Sequence, residues 1–154
     1  MNSSSAIRIA IVVSRFNRAV TDNLLEGARE AVVRLGVACD DIDVFPVPGA
    51  FELPLVAREA AQSDRYAAVV CLGAVIRGET PHFDYVCQEA ASGIARVALE
   101  SGKPVAFGVL TTDDASQALE RAGGAVGNKG YESVVTVVET LAAIASVRAA
   151  GSCT

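Results

Sequence analysis

The chain has 154 residues, of which 51% are hydrophobic but only 5% aromatic, with no Trp. That length gives one domain a real core and leaves little for a second. Lys plus Arg number 13 against 18 Asp plus Glu, a net charge of -5, which excludes a general nucleic-acid or anionic-membrane surface but allows a local anion site. Cys39, Cys71, Cys87 and Cys153 form no CxxC pair, and with one His there is no zinc set, so no metal is expected. The opening Met1-Asn2-Ser3-Ser4-Ser5 has no basic region followed by an apolar one, and no segment is expected to be long and apolar enough to span a membrane. The expectation is a cytoplasmic chain with reduced thiols and a single domain over residues 1–154, loose at 1–6 and 150–154.

The elements follow in a regular order. Residues 7–13 form a continuous β-branched run, the pattern of a strand covered on both faces. A helix is predicted from about 21 to 35, with Gly36 at its C-terminal cap. Residues 42–47 read as strand two. Residues 51–62 read as a helix with Pro54 in its first turn, where a missing N–H costs little. Strand three covers about 66–76. Thr80 and Pro81 suit the cap and first position of a helix lasting to about 101. Strand four covers 105–110, and Asp113 or Asp114 caps a short helix ending near 122. A Gly-rich link, 123–130, precedes a last helix from about 132 to 148. That helix is apolar over much of its circumference, so one stripe faces the sheet and the rest wants a neighbouring subunit. The βαβαβαβαα order predicts a flavodoxin-like α/β fold, a three-layer α/β/α sandwich on a four-stranded parallel sheet.

Ligands of open parallel sheets collect beyond the carboxyl ends of the strands. Four unusual segments fall there: Phe16-Asn17, Pro48 to Glu52, Gly78 to His82, and Thr111-Thr112. The third holds the sole histidine. In a first helical turn, His82 sits beside unpaired backbone N–H groups that attract anions and disfavour imidazolium. An aromatic face, a carboxylate, an imidazole and a phosphate-sized nest thus share one rim. Gly73 and Gly78 have the spacing of a P-loop, but Glu79 stands where a phosphate-binding Lys is needed, which argues against an ATPase. No GxGxxG follows strand one, and no Ser lies in a nucleophile-elbow context.

Five segments occur together and in order: Ser14-Arg15-Phe16-Asn17, the block PGAFELP from Pro48 to Pro54, GAVIRGETPHFDYV from Gly73 to Val86, FGVLT from Phe107 to Thr111, and ERAG from Glu120 with GNKG from Gly127. In these the chain resembles the 6,7-dimethyl-8-ribityllumazine synthases over nearly its full length. The resemblance implies condensation of 5-amino-6-(D-ribitylamino)uracil with 3,4-dihydroxy-2-butanone 4-phosphate, releasing phosphate and water, with no cofactor. It implies that Phe16 stacks on the pyrimidine and that Ala50, Phe51 and Glu52 hold the ribityl chain. Val75 and Ile76 join the substrate site. Glu79, Thr80 and Arg121 hold the phosphate, and His82 moves protons. Phe107 and Lys129 match residues supplied by an adjacent subunit. It also implies homo-pentamers, assembled into a 60-subunit shell because the link at 123–130 is short, and an association with riboflavin synthase. The alternatives are a flavin or lumazine carrier, or a shell protein without catalysis, neither of which needs His82.

Overall fold

The computed structural model describes residues 6–151. Strands β1 (Ile9–Ser14), β2 (Ile42–Val47), β3 (Ala68–Ile76) and β4 (Val105–Thr112) form one parallel sheet in the order β2-β1-β3-β4. Helices α1 (Arg18–Arg34), α2 (Leu53–Gln62), α3 (His82–Ser101), α4 (Ala115–Glu120) and α5 (Lys129–Ala150) cover it. The expected three-layer sandwich is the one observed. Alternation along β1 divides the core. Ile9, Ile11 and Val13 meet Val20 and Leu24 of α1 and Val134 and Val137 of α5, while Ala10 and Val12 meet Leu53 and Ala57 of α2 and Ile94 of α3. Each fully buried Val, Leu or Ile contributes about 1.5–3 kcal/mol, against roughly 0–1 for an exposed ion pair, so these two layers carry the stability. Pro46 is tolerated inside β2 because β2 is an edge strand.

β2 spans the expected residues, and Gly36 takes the left-handed conformation (φ 73) just past α1. α1 begins at Arg18, three residues before its expected start, and three further expectations change. Thr80 does not cap α3: Pro81 occupies the cap position, no side chain caps the helix, and His82 is its first residue. The Gly-rich link is not irregular but a small antiparallel hairpin, β5 (Ala122–Gly124) with β6 (Gly127–Asn128). Its end starts α5 three residues early, because Asn128 Oδ1 accepts from Gly130 N (2.8 Å) and Tyr131 N (3.2 Å). Of the expected loose ends, 1–5 and 152–154 (Cys153 among them) lie outside the described residues, and Ala150 is still helical.

The last helix also corrects the membrane expectation. By length and composition α5 could cross a membrane, with a mean hydropathy of 1.5 over its most apolar 18 residues, of which 17% are buried in this chain. Its packed stripe belongs to the core of this chain: Val134 and Val137 are buried against α1 and the sheet.

The α1–α5 crossing depends on missing side chains. A Cβ on Gly27 would collide with the Asn128 side chain, and one on Gly130 would collide with the Leu24 carbonyl. Asn128 Nδ2 also donates to Asn23 O (3.1 Å), so one side chain caps α5 and ties it to α1. Gly130→Ala is expected to destabilise the chain by about 1–3 kcal/mol through overpacking, read as a lower melting temperature; an unchanged melting temperature would show that the two helices can part freely.

Candidate functional site

The loops after β1, β2 and β3 converge because β1 and β3 are neighbours whose helices leave to opposite faces, the crevice in which open α/β sheets bind ligands. After β1, Arg15 N donates to Val47 O (2.8 Å) and Phe16 N to Pro48 O (3.1 Å), binding this loop to the end of β2. After β2, a 3-10 turn at Ala50–Glu52 leads into α2 with Pro54 in the first turn. After β3, the chain runs through Gly78, Glu79 and Thr80 to His82.

These loops enclose a cleft of about 460 Å3. Phe16 and His82 line it from two sides, with Ala50, Phe51 and Glu52 on a third and Val75 and Ile76 along the strand end. Seven of the residues singled out from the sequence therefore meet. Tyr85 and Val86 also line the cleft and were not singled out, although their i+3 and i+4 spacing from His82 on a helix was a usable signal. Ala74, another lining residue, sits in an apolar strand run and gave none. Phe16, Phe51 and Tyr85 are 68%, 58% and 66% exposed, so three rings around one cleft lack partners within the chain, as at a binding surface. Glu79 and Thr80 are exposed beside His82 without lining the cleft.

The remaining predicted residues lie elsewhere. Phe107 is half-exposed on the edge strand β4. Arg121 ends α4, where its Nη1 donates to Gln117 O (3.0 Å). Lys129 N donates to Arg121 O (2.9 Å), and Lys129 Nζ pairs with Glu132 (2.8 Å), so the two cations share the β5–β6 hairpin. None of the three lines the cleft of its own chain.

Arg77 braces the start of α3. Its Nε donates to Asp113 (2.9 Å), Nη1 lies 3.6 Å from Asp84, and the guanidinium stacks 4.4 Å above the Phe83 ring. The hydrogen bond to Asp113 raises its pKa further. At the opposite end of the sheet, Tyr66 donates to Asp43 (2.7 Å), which holds the Asp43 carboxyl below its usual range. That cluster is remote from the cleft and structural. Burial pushes the Cys71 thiol up to about 12, which removes it as a nucleophile. A second groove of about 350 Å3 lies between α3, β4 and α5, but its one charged group, Lys103, is already bonded to Ser63 O (2.8 Å). Among the described residues no group of three His, Cys, Asp or Glu is placed to hold a metal.

The fold and the cleft together define a parallel α/β protein with an aromatic-lined cleft beside a histidine at a helix start. The chain matches the family model of 6,7-dimethyl-8-ribityllumazine synthase over residues 6–145, most of its length, and it belongs to that family. Its reaction is the condensation of 5-amino-6-(D-ribitylamino)uracil with 3,4-dihydroxy-2-butanone 4-phosphate, a transferase step of riboflavin biosynthesis.

Arg77→Met keeps an apolar stem over Phe83 but removes both ion pairs. Because these pairs are exposed, stability should change by less than about 1 kcal/mol, whereas turnover should fall by roughly three- to tenfold as His82 loses its fixed position. Steady-state rates beside melting curves check this; unchanged turnover would remove Arg77 from the support of the site.

Proposed function

We propose that the condensation takes place in a pocket completed between two copies of the chain. One copy supplies the cleft, and its neighbour supplies Phe107, Arg121 and Lys129. The observation that carries this reading is the division of the twelve family-matched residues: seven line one cleft with Glu79 and Thr80 exposed next to His82, whereas Phe107 sits on the β4 edge and Arg121 and Lys129 flank the β5–β6 hairpin. A single chain leaves the cleft aromatic and nearly free of cations, which suits the pyrimidine but not a phosphate.

Phe16 stacks on the ring, as a π face should. Val75 and Ile76 pack along it. Glu52, with the backbone of Ala50 and Phe51, bonds the ribityl hydroxyls. The phosphate lies at the uncapped start of α3, held by the Glu79 and Thr80 backbone, the Thr80 hydroxyl and Arg121. His82 assists attack of the arylamine on the ketone and loss of water to the imine. It then assists elimination of phosphate, in which the C–O bond to phosphate breaks as a proton leaves the neighbouring carbon. Ring closure by the second amine, with loss of a second water, gives the lumazine. Most of the rate comes from holding an amine and a ketone together.

The same arrangement gives the rings around the cleft and the outer face of α5 a covering. The assembly proposed is a pentamer, twelve of which form the shell, in a cytoplasmic setting. Each chain is a single domain, and riboflavin synthase is a proposed associate. Sedimentation is expected to give the mass of the 60-subunit shell; a pentamer would remove the shell, and a monomer with full activity would remove the shared pocket.

Purified protein with both substrates should produce the lumazine chromophore with one phosphate released per product. No turnover by folded, multimeric protein would instead support a ligand-binding or shell role. His82→Ala is expected to slow turnover about a hundredfold without abolishing it, because orientation survives; a wild-type rate removes His82 from the chemistry. Arg121→Ala should raise KM for the butanone phosphate about tenfold or more while sparing the pyrimidine, and an unchanged KM refutes its phosphate role.

A further inference from the structure

We propose that Asn17 is a positioning residue for Phe16: it fixes the aromatic platform by a hydrogen bond to the cleft floor and does not cap the helix it begins. The inference rests on the reading of Phe16 as the stacking surface for the pyrimidine.

An Asn directly before a helix ordinarily has extended backbone, and its side-chain oxygen accepts from the first turn. Asn17 does neither. Its φ is 58 and ψ 50, and its side chain makes no cap bond. It is the one non-glycine residue with positive φ among the described residues. Its Nδ2 donates instead to Ala74 O at 2.9 Å, a residue 57 positions away that itself lines the cleft. The last β1–β3 pair is Val13 with Leu72, so this bond, from a residue three past the end of β1, extends the attachment to β3 beyond the strand pairing.

The consequence falls on Phe16. On one side, Arg15 N and Phe16 N bond to Val47 O and Pro48 O at the end of β2. On the other side, Asn17 bonds to β3. The backbone of Phe16 is therefore tied to both strands that flank β1. A ring that is 68% exposed gains little orientation from packing, so the backbone must set it. The left-handed turn at Asn17 also lets α1 begin one residue later, which carries Val20, Thr21 and Leu24 into the core while the ring stays in the cleft. Glycine would make the same turn, and Asp or Ser could cap the helix; an amide at an αL-tolerant residue supplies both the turn and a donor for a carbonyl.

The test compares Asn17→Gly with Phe16→Ala, each substrate being varied in turn, beside melting curves. Glycine keeps the turn without steric cost and deletes only the side-chain bond. The expected result for Asn17→Gly is a KM for the ribitylaminouracil raised about five- to tenfold, with kcat, the KM for the butanone phosphate and the melting temperature close to wild type. Phe16→Ala should raise the same KM at least as much. If Phe16→Ala raises it and Asn17→Gly does not, the positioning role is overturned and the stacking role stands. If Phe16→Ala leaves it unchanged, the stacking reading fails and the inference falls with it. A lower melting temperature for Asn17→Gly, with kcat and both KM values shifted together, would assign Asn17 to folding alone and overturn the inference.

Discussion

The handedness of the strand crossovers is the constraint on which the rest depends. A parallel strand-helix-strand unit packs back on its sheet in the right-handed sense. The chain moves from β1 outward to β2, then back past β1 to β3 and on to β4. Those opposite directions place α1 on one face and α2 and α3 on the other. Between the carboxyl ends of β1 and β3 nothing can cross, so a crevice opens there. Phe16, in the loop after β1, and His82, at the start of α3, line that crevice from its two sides.

Close packing by small residues serves the same geometry. Gly27 and Gly130 let α1 and α5 approach until an Asn side chain fits between them, which fixes where the β5–β6 hairpin ends. Arg121 and Lys129 ride on that hairpin. The energy that positions these two cations therefore comes from apolar and backbone contacts at the α1–α5 crossing. The Glu132 carboxylate pairs with Lys129, and an exposed pair of that kind adds little to stability.

The site itself is sparse: one histidine, one carboxylate and three exposed rings line the cleft. That suits a reaction between an amine and a ketone, where orientation lowers the barrier more than strong acids or bases could. Two residues outside the lining of the cleft brace it. Arg77 joins the end of β3 to α3 and to the turn after β4, and Asn17 joins the loop after β1 to β3.

The order of strands and helices was legible in the sequence because it rests on local periodicity: a β-branched run at β1 and β3, glycine at the end of α1, proline in the first turn of α2. That Phe16, Ala50 to Glu52, Val75, Ile76 and His82 would gather was legible for the same reason, since each lies at or just beyond the end of a strand. What local pattern could not give was every feature set by contacts distant in sequence. Thr80 looks like a cap, yet α3 begins after Pro81; the Gly-rich link folds into a hairpin; Asn17 bonds to Ala74; and Phe107, Arg121 and Lys129 lie away from the cleft that holds Phe16 and His82. The sequence by itself determined the order and approximate extent of the four main strands and five helices, because backbone preference and apolar spacing act over a few residues. Only the tertiary structure decided which of those turns face one another, because that depends on crossover handedness and on how closely two helices can approach.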